Sequence, residues 1–148
     1  RLVAAWDAPV YTVWSHRSAN ALVRVPPAFG NEPPLVEVRS PDSSCNPYLA
    51  MAVLVESIAE GIRSRSLPGD PFTGSTYELS QRYRDEHGIR MLPRSLRQAI
   101  TALDEDVVVR GALGDHIYHA FRDAKMAEYE RYRKAVHPWE RNEYLRVF

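Results

Sequence analysis

The chain has 148 residues, of which 45% are hydrophobic and 26% are charged, a composition typical of a globular domain rather than a disordered chain. Lysine and arginine total 19, as do aspartate and glutamate, so the formal net charge is zero. A balanced chain has no general positive field, which disfavours nucleic acid and anionic membranes as partners. The single cysteine, Cys45, cannot form an intrachain disulfide. A lone cysteine suits a reducing compartment, and we therefore expect a cytoplasmic protein. No apolar stretch approaches the roughly 20 residues that a membrane helix needs.

The first forty residues contain three short β-rich runs that are separated by turn-forming residues. These runs cover residues 10–14, 21–25 and 35–39, and the segments between them are rich in serine, asparagine, proline and glycine. Such spacing predicts antiparallel strands of one sheet within residues 9–39. Because Arg1 leads directly into a patterned segment with no initiator methionine, we expect the chain to be part of a longer polypeptide.

The remainder of the chain is predicted to be mainly helical. Asn46 precedes Pro47, a capping side chain followed by a proline suited to the first helical position, so a helix should begin there and run to about residue 63. Its first half is apolar nearly all round, which predicts burial. Further helices are expected over residues 94–106, 115–136 and 139–148, and residues 64–76 read as a surface connection. The predicted fold class is therefore α+β, with strands packed against helices in residues 47–148.

The third predicted strand carries the most informative charges. Strand alternation places Leu35, Glu37 and Arg39 on one face, with the α-carbons of the two charged residues about 6.6 Å apart. One interpretation is a solvated strand face, which is common. The other is a site in which the carboxylate holds a metal ion and the guanidinium holds an anion.

Two other groups of polar residues have equally open readings. Arg24, among aliphatic residues of the second run, can point to solvent or clamp a phosphate through its planar fork. His116 and His119 share one helix face, as a metal site requires, but no third ligand is visible. Asp115 beside them is better explained as a helix cap.

Several motifs occur in an order that resembles the C-terminal part of the bacterial glutamine synthetase catalytic domain. They are Arg1-Leu2-Val3, Asp7-Ala8-Pro9-Val10, Trp14-Ser15-His16-Arg17, Arg24-Val25-Pro26, Val36-Glu37-Val38-Arg39-Ser40-Pro41-Asp42, Asn46-Pro47-Tyr48-Leu49-Ala50, His137-Pro138-Trp139-Glu140 and Tyr144-Leu145. The resemblance is strong over residues 1–63 and thinner over residues 94–148. It implies an ATP-dependent ligase that joins ammonia or another amine to glutamate through a γ-glutamyl phosphate, as a ring-shaped homo-oligomer.

The resemblance also implies a role for each matching residue. Glu37 corresponds to a ligand of Mg²⁺ or Mn²⁺ at the nucleotide phosphates, and Arg24 to a residue that binds the nucleotide and stabilises phosphate during catalysis. Arg1 and Arg39 correspond to arginines that hold glutamate. Asp7 stands where the family has a glutamate that takes a proton from the amine.

Three positions depart from the family pattern. Asp7 is one methylene shorter than the usual glutamate, and Ala19 and Leu35 stand where arginines near the nucleotide are expected. These departures argue against a routine glutamine synthetase, and the alternatives are a divergent member, such as a γ-glutamylpolyamine or other γ-glutamylamide synthetase, or a member with weakened catalysis. A further alternative is a non-catalytic role in oligomer assembly, in which residues 115–136 and 137–148 dock onto neighbouring subunits. Because the family takes further metal ligands from upstream strands, we expect the 148-residue chain alone to be inactive.

Overall fold

The computed structural model of the chain describes residues 8–28, 30, 31, 33–145 and 147. The chain divides into two compact units, Arg1–Arg94 and Ser95–Phe148. The first unit contains three strands, β1 (Trp14–Ser15), β2 (Val23–Arg24) and β3 (Glu37–Val38), and the helices α1 (Pro47–Arg63) and α2 (Gln81–Glu86). The second contains α3 (Leu96–Glu105), α4 (Val107–Lys134) and α5 (Pro138–Tyr144). The predicted α+β class is confirmed.

The sheet is mixed rather than wholly antiparallel. Its order is β1-β2-β3, with β2 and β3 antiparallel as predicted and β1 and β2 parallel. The predicted antiparallel pairing of β1 and β2 is therefore wrong. Between the two strands, residues 16–22 carry the chain back to the start of β1, and Ser15 Oγ accepts hydrogen bonds from the backbone N–H groups of Arg17 at 3.2 Å and Ser18 at 3.1 Å. The chain then re-enters beside β1 in the same direction, and Leu22 N–H donates to Val13 O at 3.0 Å.

The first predicted strand is divided between two partners. Tyr11 forms an antiparallel bridge with Met91, and the backbone N–H of Thr12 donates to Arg90 O at 2.9 Å. Only Trp14 and Ser15 remain in the sheet. The start of the first predicted strand thus pairs with Arg90 and Met91, which lie almost eighty positions away in the sequence. Short-range sequence patterns could not reveal this pairing.

The buried apolar residues of the first unit lie just before β1 and β2 in the chain. Val10, Val13 and Ala21 are buried there. The segment after α1 is tied to β1 by the Trp14 indole N–H, which donates to Gly69 O at 2.7 Å, and by Phe72 N–H, which donates to Trp14 O at 2.8 Å. This connection also contains a 3₁₀ turn, Thr76–Glu78, and precedes α2; neither element was predicted.

Helix α1 begins as predicted, but it is not buried. Asn46 Oδ1 accepts the N–H of Tyr48 at 3.0 Å and Pro47 occupies the first helical turn. No residue of α1 is buried, and within the described residues it packs against none of the other named helices or strands. The exposed stripe of α1 comprises Tyr48, Met51, Val55, Ile58 and Ile62. Their alternating spacing of three and four residues places them on one side of the helix. The predicted burial of α1 is therefore wrong for the described residues, because no second layer of structure packs against this side.

The second unit is a set of helices around α3 and α4, which pack together. Ser95 caps α3, accepting Gln98 N–H at 3.2 Å. Gly114 interrupts α4 with a φ of 69°, a left-handed conformation that favours glycine, so the regular helix resumes at Asp115 as predicted. No helix in the described part of the chain is both long and apolar enough to cross a bilayer.

Helices α3 and α4 are joined by apolar packing and by one polar cluster. Ile100, Leu113 and Tyr118 are buried between them. Asp104 accepts hydrogen bonds from Arg122 Nε and from the Tyr118 hydroxyl, each at 2.8 Å. The bond from Arg122, followed by that from Tyr118, holds the pKa of Asp104 below its usual range.

Identical substitutions at two isoleucines test the contrast between the units. Ile100 is 3% exposed and Ile58 is 61% exposed. Ile100→Ala removes buried methylene groups and should lower the free energy of unfolding of the second unit by about 2–4 kcal/mol. Ile58→Ala should change the stability of the 148-residue chain by less than about 0.5 kcal/mol. Denaturant unfolding followed by circular dichroism measures both, and an equal loss at the two positions would show that α1 is covered.

The Asp104 cluster predicts a dependence of stability on pH. Because the pKa of Asp104 is lower in the folded chain than in the unfolded chain, its contribution is present above the ordinary value of about 3.9 and is lost as the pH falls through the folded value. The Asp104→Asn variant should therefore have a lower free energy of unfolding than the wild type near neutral pH. On acidification its free energy of unfolding should fall less than that of the wild type. Asp123→Asn is the control, since Asp123 lies 3.5 Å from the same Arg122 and its side chain is 74% exposed. If both variants keep the wild-type acid profile, Asp104 does not link these helices.

Candidate functional site

A two-point ion pair joins the second and third strands. Arg24 Nε donates to Glu37 Oε2 at 2.7 Å, and Arg24 Nη2 donates to Glu37 Oε1 at 2.8 Å. The two side chains are half-buried, with exposures of 33% and 29%. Parallel N–H···O bonds of this kind fix the plane of the carboxylate as well as its position.

The backbone register explains why these two residues meet. In the antiparallel ladder Arg24 lies directly opposite Glu37, and Val23 lies opposite Val38. Directly opposite residues project to the same face of a sheet, with side chains close enough to interact. The backbone N–H of Arg39 donates to Leu22 O at 2.9 Å and extends the ladder by one position.

The charges around Glu37 keep it ionised. The hydrogen bonds from Arg24 lower the pKa of Glu37, partial burial opposes that shift, and the positive charges of Arg24 and Arg39 lower it further. The same hydrogen bonds raise the pKa of the Arg24 guanidinium. Glu37 is therefore an anion flanked by two guanidinium groups at neutral pH.

The described residues provide one metal donor rather than a complete site. A carboxylate oxygen suits Mg²⁺ or Mn²⁺, and such ions take about six oxygen ligands. Within residues 8–28, 30, 31, 33–145 and 147, no group of three or more His, Cys, Asp or Glu side chains is placed to hold an ion, and this includes the group around His116 and His119. The chemistry of Glu37 fits a divalent cation, and the other ligands would have to come from polypeptide outside these residues.

The structure brings together three of the five predicted site residues. Arg24 and Glu37 lie on adjacent strands, Arg39 follows the end of β3, and all three are partly buried. Arg1 and Asp7 fall outside the described residues, so their predicted roles stay predictions.

The direct pairing of Arg24 with Glu37 was missed by sequence reasoning, which coupled Glu37 with Arg39 instead. Opposite charges on two neighbouring strands were the available signal, but only the register shows which pair is in contact. Ala19 and Leu35, where the resemblance predicts arginines, are both exposed, and Leu35 is 56% exposed.

The fold and the site define an α+β unit that carries a carboxylate and guanidinium groups on adjacent strands of a small sheet. Comparison with known protein families shows which family the chain belongs to. The sequence model of the family described as glutamine synthetase, catalytic domain, matches residues 1–144. The chain belongs to the glutamine synthetase catalytic-domain family, which confirms the resemblance seen in its motifs.

Individual relatives agree with this assignment. The glutamine synthetase of Halobacterium salinarum is 44% identical over 148 residues, which are 100% of this chain and 32% of that protein. The glutamine synthetase of Thermus thermophilus is 42% identical over 148 residues, 100% of this chain and 33% of that protein. The chain thus spans about a third of the length of these relatives, which are 32% and 33% covered.

A solved structure shares the fold. The structure of apo GmaS without ligand matches with a TM-score of 0.72 and 29% sequence identity. The match covers 93% of this chain and 30% of that chain. The α+β arrangement described above is therefore shared with part of that longer chain.

Proposed function

We propose that this chain is the C-terminal part of the catalytic domain of an ATP-dependent ligase that joins ammonia or another amine to the γ-carboxylate of glutamate. The reaction would pass through a γ-glutamyl phosphate. The observation that carries the proposal is the Arg24–Glu37 pair, a carboxylate and a guanidinium fork on adjacent strands, in a member of this family. The relatives that are 44% and 42% identical are both glutamine synthetases.

Glu37 and Arg24 act on the phosphates in this proposal. Glu37 would be one oxygen ligand of the Mg²⁺ or Mn²⁺ that accompanies ATP. When bound, the cation neutralises charge on the phosphates as the γ-phosphoryl group is transferred. Arg24 contributes a planar, permanently charged fork whose N–H groups match phosphate oxygens, so it would stabilise the negative charge that develops there.

The remaining assigned residues act on glutamate and on the amine. Arg39, which directly follows the third strand, would bind a carboxylate of glutamate together with Arg1. Asp7 would accept a proton from the attacking amine, with a reach one methylene shorter than the family's glutamate. Arg1, Arg39 and Asp7 receive these roles from the family motifs that they match.

The departures at Ala19 and Leu35 widen the range of amines that we propose. Neither position can contribute a guanidinium, so positive charge at the nucleotide is lower than in the family pattern. A γ-glutamylpolyamine or other γ-glutamylamide synthetase is the alternative within the same reaction type. We place the reaction in the cytoplasm, consistent with the single cysteine and the zero net charge.

Glu37→Gln in the complete polypeptide tests the central assignment. The substitution keeps the size of the side chain but removes the charge that would hold the cation, so phosphate release should fall by about 100-fold or more. The assay contains ATP, Mg²⁺ and glutamate, with ammonium, a monoamine or a polyamine in parallel tubes, and the amine that gives the highest rate identifies the acceptor. The 148-residue chain alone should show no turnover with any of them.

The matched control is Glu86→Gln. Glu86 also accepts from an arginine, Arg82 Nε, at 2.7 Å, but this pair lies on the exposed surface of α2. Its loss should leave the rate unchanged. Full activity of the Glu37→Gln protein with every amine would remove Glu37 from the site.

A role in assembly is a second candidate, and we propose that the complete protein forms a homo-oligomer. The observation in its favour is the apolar character of the C-terminal segment, where Val136, Trp139, Tyr144 and Leu145 are exposed. A shallow depression on this segment is lined by Val136, Glu140, Arg141, Tyr144 and Leu145. These apolar residues lie close together on one segment, and contiguous exposed apolar surface is typical of protein–protein interaction sites.

Deletion of residues 137–148 from the complete polypeptide should lower the mass measured by light scattering, because it removes apolar surface that a neighbouring subunit would cover. Asn142→Ala, a change at an exposed polar position of the same segment, is the control and should keep the wild-type mass. An unchanged oligomer after the deletion would exclude this segment from assembly.

A further inference from the structure

The β1–β2 turn, residues 16–20, lies on the face of the sheet that carries Arg24 and Glu37. Ser15 is in register with Arg24, and Arg24 with Glu37, so the three side chains project to one face. Ser15 Oγ accepts the backbone N–H groups of Arg17 at 3.2 Å and Ser18 at 3.1 Å. Because this acceptor points to the face of Arg24, it brings the backbone of residues 17 and 18 onto the same face.

The opposite face of the sheet carries Trp14 and His16. Their rings are in edge contact, with centroids 5.2 Å apart, and His16 Nδ1–H donates to Val25 O at 3.0 Å. Since side chains alternate along a strand, this contact agrees with the placement of Ser15 on the other face. The chain therefore turns towards Arg24 only after His16.

The β1–β2 turn is anchored at both ends by buried polar residues. Ser15 is 2% exposed, and Asn20, whose Oδ1 accepts the Ser18 hydroxyl at 2.5 Å, is 7% exposed. Between these anchors Arg17 and Ala19 are exposed. A turn whose backbone is already ordered presents its side chains to a ligand at a lower entropic cost than a flexible loop does.

Arg17 is the charged residue that this turn presents. Its side chain makes no hydrogen bond or ion pair with another described residue, whereas Arg24 is paired with Glu37. Neighbouring strands lie roughly 4.8 Å apart and each further residue adds at most about 3.8 Å, so the α-carbons of Arg17 and Arg24 lie within about 12 Å of each other. Two extended arginine side chains at this separation can reach the same polyphosphate.

We infer that Arg17 binds a phosphate group of the nucleotide on the face of the sheet that carries Arg24. A guanidinium is permanently charged, and its planar fork matches phosphate oxygens. Ala19, in the same turn, stands where the resemblance to the family predicts an arginine, so Arg17 supplies positive charge that position 19 lacks. This inference rests on the proposed function, because it takes the face of Arg24 as the side on which the nucleotide phosphates bind.

Arg17→Gln in the complete polypeptide tests the inference through equilibrium binding. Calorimetric titration with ATP, without glutamate or amine, should show about tenfold weaker binding than the wild type, the effect of losing one charge-assisted hydrogen bond. Adenosine, which has no phosphate, should bind the variant and the wild type with the same affinity. Arg82→Gln removes an equal charge from the exposed surface of α2, and as the control it should leave ATP binding unchanged.

Moving the guanidinium by two positions separates its charge from other effects of the substitution. Arg17→Gln combined with Ala19→Arg places an arginine at an exposed position of the same turn, and the affinity for ATP should recover to within about threefold of the wild type. The inference is overturned if Arg17→Gln binds ATP as tightly as the wild type, if it weakens adenosine binding equally, or if the double variant shows no recovery.

Arg24→Gln distinguishes failure of this inference from failure of the proposed function. The proposed function assigns Arg24 to the phosphates, so Arg24→Gln should weaken the binding of ATP but not of adenosine. If Arg24→Gln weakens ATP binding and Arg17→Gln does not, the assignment of Arg24 stands and only the inference about Arg17 fails. If neither variant weakens ATP binding, this face does not bind phosphate and both fail.

Discussion

The guanidinium–carboxylate pair between Arg24 and Glu37 is the interaction on which the site depends. Each of the three strands has only two residues, and a sheet of this size is marginal without side chains that fix its pairing. The pair crosses the β2–β3 ladder at the point where register matters most, because a slip of one residue would turn Glu37 to the opposite face. The register therefore decides whether Arg24 and Glu37 face each other, and their two hydrogen bonds stabilise that pairing.

Two separate features of the first unit lack partners within the described residues. In the described ranges Glu37 belongs to no group of three or more His, Cys, Asp or Glu side chains that could hold an ion, and no other named helix or strand packs against the exposed stripe of α1. A metal site needs several donors, and an apolar helix face needs a second layer. Both features support the proposal that this chain works as part of a larger catalytic domain, as does its coverage of 32% and 33% of its relatives.

Two positions, Ala19 and Leu35, lack the arginines that the resemblance to the family predicts. With alanine at position 19 and leucine at position 35, neither position supplies positive charge near the third strand. Arg24 and Arg39 are the guanidinium groups that act electrostatically on Glu37.

The sequence by itself determined the α+β class, the family and most helix boundaries, because these depend on local signals. Asn46 before Pro47 marks the start of α1, and Gly114 and Pro138 mark breaks in the helices that follow. Only the tertiary structure decided the parallel pairing of β1 with β2, the exposure of α1 and the contact between Arg24 and Glu37. Each of these depends on which distant segments lie side by side, and neither hydrophobic periodicity nor charge order along the chain encodes that register.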